Sequence, residues 1–187
     1  MQKGLQQQLQ QLDAFLGEVQ GRAYRMALVS LQHREDALDA VQDAMMKLVE
    51  KYSNKPQEQW APLFYRILYT RIKDSQRRRA RGGRLFGTLF GAVASGGEDE
   101  VDVISQVRDA SDPDPLRLAD DDKFGDALDN ALGQLPERQR QAFLLRAWEG
   151  LDVGQTATAM GCGEGSVKTH YSRARQSLQR ALGDFVA

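Results

Sequence analysis

Residues 151–178, LDVGQTATAMGCGEGSVKTHYSRARQSL, read as a short helix, a glycine turn and a second helix loaded with basic and polar side chains. Val153, Ala157 and Met160 recur at helical spacing and can face a core, while Gly161 and Gly163 flank a bend where unusual backbone angles are needed. The second helix opens near Glu164. Its apolar positions Val167, Tyr171, Ala174 and Leu178 follow a three-four rhythm, which turns Ser166, Lys168, Thr169, His170, Arg173 and Arg175 elsewhere. This is a helix-turn-helix pattern. Hydroxyl, lysine and arginine donors on such a second helix suit phosphate oxygens and purine acceptors in a major groove. The same face can also be an ordinary solvated helix surface.

Outside this segment, composition narrows the possibilities. A chain of 187 residues, 41% hydrophobic, can hold one ordinary domain or two small ones, and the pattern of segments favours two. One cysteine, Cys162, excludes an intramolecular disulfide, and two distant histidines offer no zinc cluster. The start, MQKGLQQQLQQLDAF, has no apolar run behind a basic segment, and no stretch approaches bilayer-spanning length. The expectation is a cytoplasmic protein without membrane insertion. There is no Walker A pattern, no HExxH and no GxSxG, so an enzyme is not expected, nor a cofactor or metal.

The formal charge of −1 conceals strong segregation. Residues 98–126 carry eleven acids against Arg108, Arg117 and Lys123, a balance of −8, which leaves +7 for the remainder. Gly82 to Gly97 is glycine-rich, and Asp112-Pro113-Asp114-Pro115 disfavours helix. These features predict a flexible acidic linker over 85–123 between modules at 1–84 and 124–187. Leu85, Phe86, Leu89, Phe90 and Val93 sit at near-helical spacing, which suits either a continuation of the preceding helix or docking on a partner.

The N-terminal module reads as helices throughout, making the fold all-α. A first helix, about Leu5 to Ser30, offers Leu9, Leu12, Phe15, Leu16, Val19, Ala23, Met26 and Ala27 on one face. A second, about Glu35 to Tyr52, offers Ala37, Leu38, Val41, Met45, Leu48 and Val49 to the core and turns Asp36, Asp39, Gln42, Asp43 and Lys47 outward. That polar stripe is either a plain solvated face or a docking surface. A third helix starts near Pro62 and supplies Leu63, Phe64, Ile67, Leu68 and Ile72 before an arginine run. Between Pro62 and Arg84 stand eight basic residues and one acid, Asp74, with Tyr65 and Tyr69 among them. Cations neutralise phosphate and aromatic faces stack on unpaired bases, a combination suited to a duplex–single-strand junction.

Three blocks carry a family resemblance. REDALDAVQDAMMKLVEKY, residues 34–52, resembles the polymerase-binding helix of sigma domain 2, whose core of an acid, two variable residues, Gln and an acid is matched by Asp39, Gln42 and Asp43. Phe64 to Arg81 resembles the helix that melts and reads the "−10" element, with Tyr65, Arg66, Ile67, Arg71, Asp74, Arg77 and Arg78 in register. The third block, residues 135–178, can be laid on sigma domain 4 without a gap. Leu135-Pro136, Arg140, Phe143, Gly165, Ser166-Val167-Lys168, Arg173-Ala174-Arg175 and Leu178 carry the match. The chain thus resembles a group IV, or extracytoplasmic-function, sigma factor of the sigma-70 family. It departs from the usual pattern at Thr70 (commonly Asn), Leu63 (often Trp), Gly163 (often Pro) and His170 (usually Arg).

The resemblance implies a specificity subunit of RNA polymerase. Domain 2 would dock on the clamp helices of the largest subunit through Asp39, Gln42 and Asp43 and contact "−10" DNA through Tyr65, Arg66, Arg71, Asp74, Arg77 and Arg78. Domain 4 would bind the flap of the second-largest subunit and read the "−35" element through Ser166, Lys168, Thr169, His170 and Arg173, with Arg175 gripping phosphate. Promoter DNA and an anti-sigma factor are the other implied partners. The competing expectation is a stand-alone helix-turn-helix regulator that binds an operator as a dimer.

Overall fold

The computed structural model describes residues 2–89 and 115–183, with side chains from 6 to 81 and from 124 to 183. Helix α1 (Gln2–Leu31) buries Leu12, Leu16, Val19, Ala23, Met26, Ala27 and Leu31, a four-three repeat that keeps one stripe turned inward. It ends abruptly at Gln32, the one non-glycine residue with positive φ (+50°) among the described residues, whose N–H donates to the Leu28 carbonyl at 2.7 Å. His33 then caps helix α2 (Arg34–Tyr52), its Nδ1 accepting from the Asp36 N–H at 3.4 Å. A two-residue reversal therefore lays α2 antiparallel on α1.

Helix α2 seats Ala37, Ala40, Val41, Ala44 and Leu48 in the core. Small side chains let it approach α1, which contributes Ala23 and Ala27. This corrects the stripe expected from sequence: Leu38 and Val49 are 43% and 40% exposed, as is Leu9 of α1 at 46%. Helix α3 (Trp60–Leu89) begins two residues before Pro62, which stands in its first turn where a missing N–H costs nothing. Trp60, Phe64, Tyr65, Leu68, Tyr69 and Ile72 are buried along it, and Phe15 of α1 packs against Trp60 and Phe64 with ring centroids at 6.0 and 6.2 Å.

The second group comprises α4 (Pro115–Gln134), α5 (Glu137–Phe143), α6 (Val153–Met160) and α7 (Glu164–Ala181). No strand occurs among the described residues. Helix therefore covers both ends of the segment expected to be linker, because α3 runs to Leu89 and α4 starts at Pro115. The rest of that segment, 90–114, lies outside the described residues, with Phe90 and Val93. After α5 the chain widens into a π-type turn over Leu144–Trp148, where the Glu149 N–H reaches the Leu144 carbonyl at 3.1 Å.

The bend between α6 and α7 is specified locally. Asp152 accepts from the Gln155 N–H at 2.7 Å while Gln155 Oε1 accepts from the Asp152 N–H at 3.0 Å, a reciprocal capping box that starts α6. Gly161 ends it at φ +62°, and the Cys162 N–H closes the turn on the Ala157 carbonyl at 3.1 Å. Asp152→Ala removes one half of the box and is expected to lower stability by about 0.5–2 kcal/mol in urea unfolding. Gly161→Ala meets no neighbour within 4 Å, so its expected loss of ~1 kcal/mol comes from backbone strain alone. Urea unfolding of each variant, followed by circular dichroism, checks both values.

The two groups do not stand apart. Their buried side chains form one continuous core, with α3 lying along α6 and α1 touching α4.

Candidate nucleic-acid and protein interfaces

Three faces carry the residues singled out from sequence. On α7, Val167, Ala174 and Leu178 are buried, and Tyr171 is held between the Phe143 ring at 6.1 Å and the Arg146 guanidinium at 5.8 Å. Fixing that side of the helix turns the other outward: Ser166, Lys168, Thr169, Arg173 and Arg175 are all exposed, and His170 is half-buried. Ser166, Thr169, His170 and Arg173 line one stripe at three- and four-residue spacing. Thr169 already spends its hydroxyl proton on the Gly165 carbonyl at 2.9 Å, so it can only accept from a ligand. Gly163 provides no side-chain cap, which leaves the first amides of α7 for solvent or an anion.

On α2, Asp39 and Gln42 are exposed, and Asp43 is paired with Arg71 Nε of α3 at 3.5 Å. The structure adds an apolar component that sequence reasoning missed. Leu38, Met46 (61% exposed) and Val49 share the outward face with Gln42, alternating with the acids. The adjacent Met45-Met46 pair was the available signal, since neighbours on a helix point about 100° apart and an apolar residue next to the edge of the core stripe can fall on the open face.

On α3 the residues divide. Arg66, Thr70, Lys73 and Arg77 occupy one stripe, which looks into a cleft of about 250 Å³ whose far wall is α5 and α6, including Glu137 and Arg138. Asp74 lines the same cleft, 3.9 Å from Arg77. Arg71 turns toward α2, and Arg78 is exposed. Tyr65 departs from expectation: rather than presenting its ring for stacking, it is fully buried, edge-on to Phe64 at 5.1 Å. Its phenol is pushed far above the ordinary range by burial and by the neighbouring Glu149 carboxylate. Tyr69 is buried too, and burial likewise raises its phenol, opposed by the nearby charge of Arg140. Arg140 is itself buried, which lowers its pKa, and it donates to the Gly133 carbonyl at 3.1 Å.

Among the described residues, no group of three or more His, Cys, Asp or Glu could hold a metal ion, and no helix is long and apolar enough to cross a membrane.

The chain has recognisable relatives. Residues 125–178, from α4 into α7, match the family described as Sigma-70, region 4. Over 161 residues, 86% of the chain, it is 27% identical to the ECF RNA polymerase sigma factor SigE of Mycolicibacterium smegmatis, and it spans 57% of that protein's length. It is 26% identical to the RNA polymerase sigma-H factor of Pseudomonas aeruginosa, with 95% of each chain covered. Among solved structures, the sigma factor RpoE in complex with the anti-sigma factor NepR from Bartonella quintana superimposes with a TM-score of 0.61 over 98% of both chains, at 23% identity. Residues 125–178 thus match sigma-70 region 4, and over most of its length the chain is similar to extracytoplasmic-function sigma factors.

Proposed function

We propose that this chain is a promoter-specificity subunit that binds core RNA polymerase and directs initiation at promoters bearing particular "−10" and "−35" elements. The observation that carries the reading is the α7 face. Ser166, Lys168, Thr169, Arg173 and Arg175 all reach solvent from a helix whose entry angle is set by the Asp152–Gln155 capping box and Gly161. A rigidly presented row of donors on a second helix matches what a major groove requires.

In this reading residues 1–84 form the polymerase-binding and "−10" module, and 124–187 the "−35" module. Asp39, Gln42 and Asp43 contact the clamp helices, assisted by the exposed Leu38, Met46 and Val49. Such a mixed face, apolar residues flanked by acids, is typical of a helix that docks on protein rather than on water. Arg66, Arg71, Arg77 and Arg78 meet "−10" phosphates, while Tyr65 contributes by packing and Asp74 by orienting Arg77. His170, with a buried and unpartnered Nδ1, sits where the "−35" contact begins. The chain acts in the cytoplasm, without catalytic residues of its own, and an anti-sigma factor, as seen bound to the Bartonella RpoE, is its expected antagonist.

The decisive experiment is run-off transcription with purified core polymerase on a genomic promoter library. Discrete start sites that depend on the added chain are expected. Failure to initiate anywhere, together with tight operator binding by the isolated chain, would replace this reading with that of a stand-alone regulator.

A further inference from the structure

The cleft between α3 and the α5–α6 pair combines charges in a way that suits a small ligand. Arg66, Lys73 and Arg77 stand exposed along its α3 rim, and Arg138 faces them from α5. These four cations surround a space of about 250 Å³ that holds two carboxylates, Asp74 and Glu137. Arg138 is fixed through one nitrogen only: Nη1 donates to the Met160 carbonyl at 2.8 Å and to Gln141 Oε1 at 3.3 Å. Its Nε and Nη2 protons remain for a ligand. Arg77 has only Asp74 beside it, at 3.9 Å, and neither Arg66 nor Lys73 has an ion-pair partner among the described residues. Behind the rim the lining changes character. Ala159 and Met160 are buried and apolar, while Gln141 and Tyr69 are buried and polar. The Tyr69 hydroxyl has no hydrogen-bond partner, a condition that is rare for buried polar groups in native proteins.

We propose that this cleft binds a small phosphorylated sugar, its phosphate bridging Lys73 and Arg77 of α3 to Arg138 of α5, its hydroxyls donating to Glu137, and its carbon body resting on Ala159 and Met160. Lys73 and Arg77 are one turn apart on the same face and converge on one anion, whereas Arg66 lies roughly 10 Å further up the helix. Guanidinium forks and an ammonium point charge are the side chains that recognise phosphate best. The two carboxylates disfavour a bare polyanion but accept hydrogen bonds from hydroxyls. Volume sets the size: the cleft falls just below the roughly 300–1,000 Å³ of pockets for drug-sized ligands, which admits one phosphorylated sugar and no nucleic-acid strand. A free sugar phosphate and a mononucleotide with its base outside the cleft offer the same chemistry. In the specificity-subunit reading Arg77 also meets a "−10" phosphate, so an occupied cleft competes with promoter DNA. That consequence rests on the reading, but the site does not.

Titration calorimetry of the full chain with ribose 5-phosphate, at fixed ionic strength, tests the site. One saturable site is expected, with inorganic phosphate and ribose each binding at least ~10-fold more weakly. Lys73→Glu and Arg138→Gln should each weaken ribose 5-phosphate by about tenfold or more, because each removes a charge-assisted hydrogen bond, with circular dichroism unchanged. The double variant Lys168→Ala, Arg173→Ala, on the open α7 face, should bind it as wild type does. Adenosine monophosphate separates the two sources: tighter binding than ribose 5-phosphate identifies a mononucleotide, and weaker binding a free sugar phosphate. Absence of saturable heat, equal binding of bare phosphate, or a loss confined to the α7 variant overturns the site. Tighter binding of a short single-stranded oligonucleotide, lost in the same two cleft variants, replaces it with a strand-binding groove. In run-off transcription, saturating ribose 5-phosphate should lower initiation by wild type and leave Lys73→Glu unaffected. A chain that binds the sugar phosphate yet never initiates sinks the specificity-subunit reading alone.

Discussion

Replacing Lys168 and Arg173 together with alanine is expected to abolish transcription from promoters that depend on a "−35" element, while the protein still folds and still co-purifies with core polymerase. Both side chains project from the exposed face of α7 and neither supports the core, which on that helix is Val167, Ala174 and Leu178. Each lost contact to phosphate or base costs about 1–3 kcal/mol, and two residues one and a half turns apart add approximately, so the combined loss of occupancy is at least ~30-fold. Electrophoretic mobility of the holoenzyme on a promoter fragment, followed against salt, separates the roles. A residue that only neutralises phosphate lowers the salt slope by about one and weakens all sequences alike. A residue that reads a base changes the preferred sequence. Core binding lost in the same proportion as DNA binding would show that α7 serves another surface.

Replacing Asp39 and Gln42 with alanine is expected to weaken core association by roughly 10- to 100-fold, in line with the effect of removing central polar contacts from a protein interface. Both residues are exposed, so the folded chain should melt as before. Asp43 is a poorer choice for the same test because it is already bound to Arg71, and removing it would also release an arginine of α3. Met46→Ala, made separately, asks whether the apolar half of the face contributes. Surface plasmon resonance with immobilised core polymerase provides the numbers, and unchanged binding in both variants would remove α2 from the interface.

Legibility from sequence followed how far each local signal reaches. The α6–α7 bend was readable because its determinants are local, two glycines and a second helix whose apolar rhythm leaves a basic face over, while the Asp152–Gln155 capping box was added by the structure. The α2 face was misread by a rotation. Leu38 and Val49 are larger and more apolar than Ala37, Ala40 and Ala44, so periodicity weighted by hydrophobicity favours them for the core. Close packing of α2 on α1 favours the alanines instead, since a small side chain lets two helices approach where a large one would hold them apart. Tyr65 was misassigned for a related reason. An aromatic residue among arginines has the composition of a stacking platform, but its position one residue after Phe64 places it on the flank of the α3 core stripe, against Glu149 from 84 positions away.

The sequence by itself determined that the chain is helical, that its acids are concentrated over 98–126, and that a helix-turn-helix with a basic second helix stands near its C-terminus, because helix periodicity, glycine turns and charge are properties of neighbours along the chain. Only the tertiary structure decided that α3 lies along α6, that Glu149 is buried on Arg22, and that Met46 is more exposed than Met45. Those outcomes depend on which faces meet in space. The energy of burying a carboxylate against a particular arginine, or of seating alanines in a helix crossing, is set by partners more than a hundred residues distant, or on another helix, that no local pattern specifies.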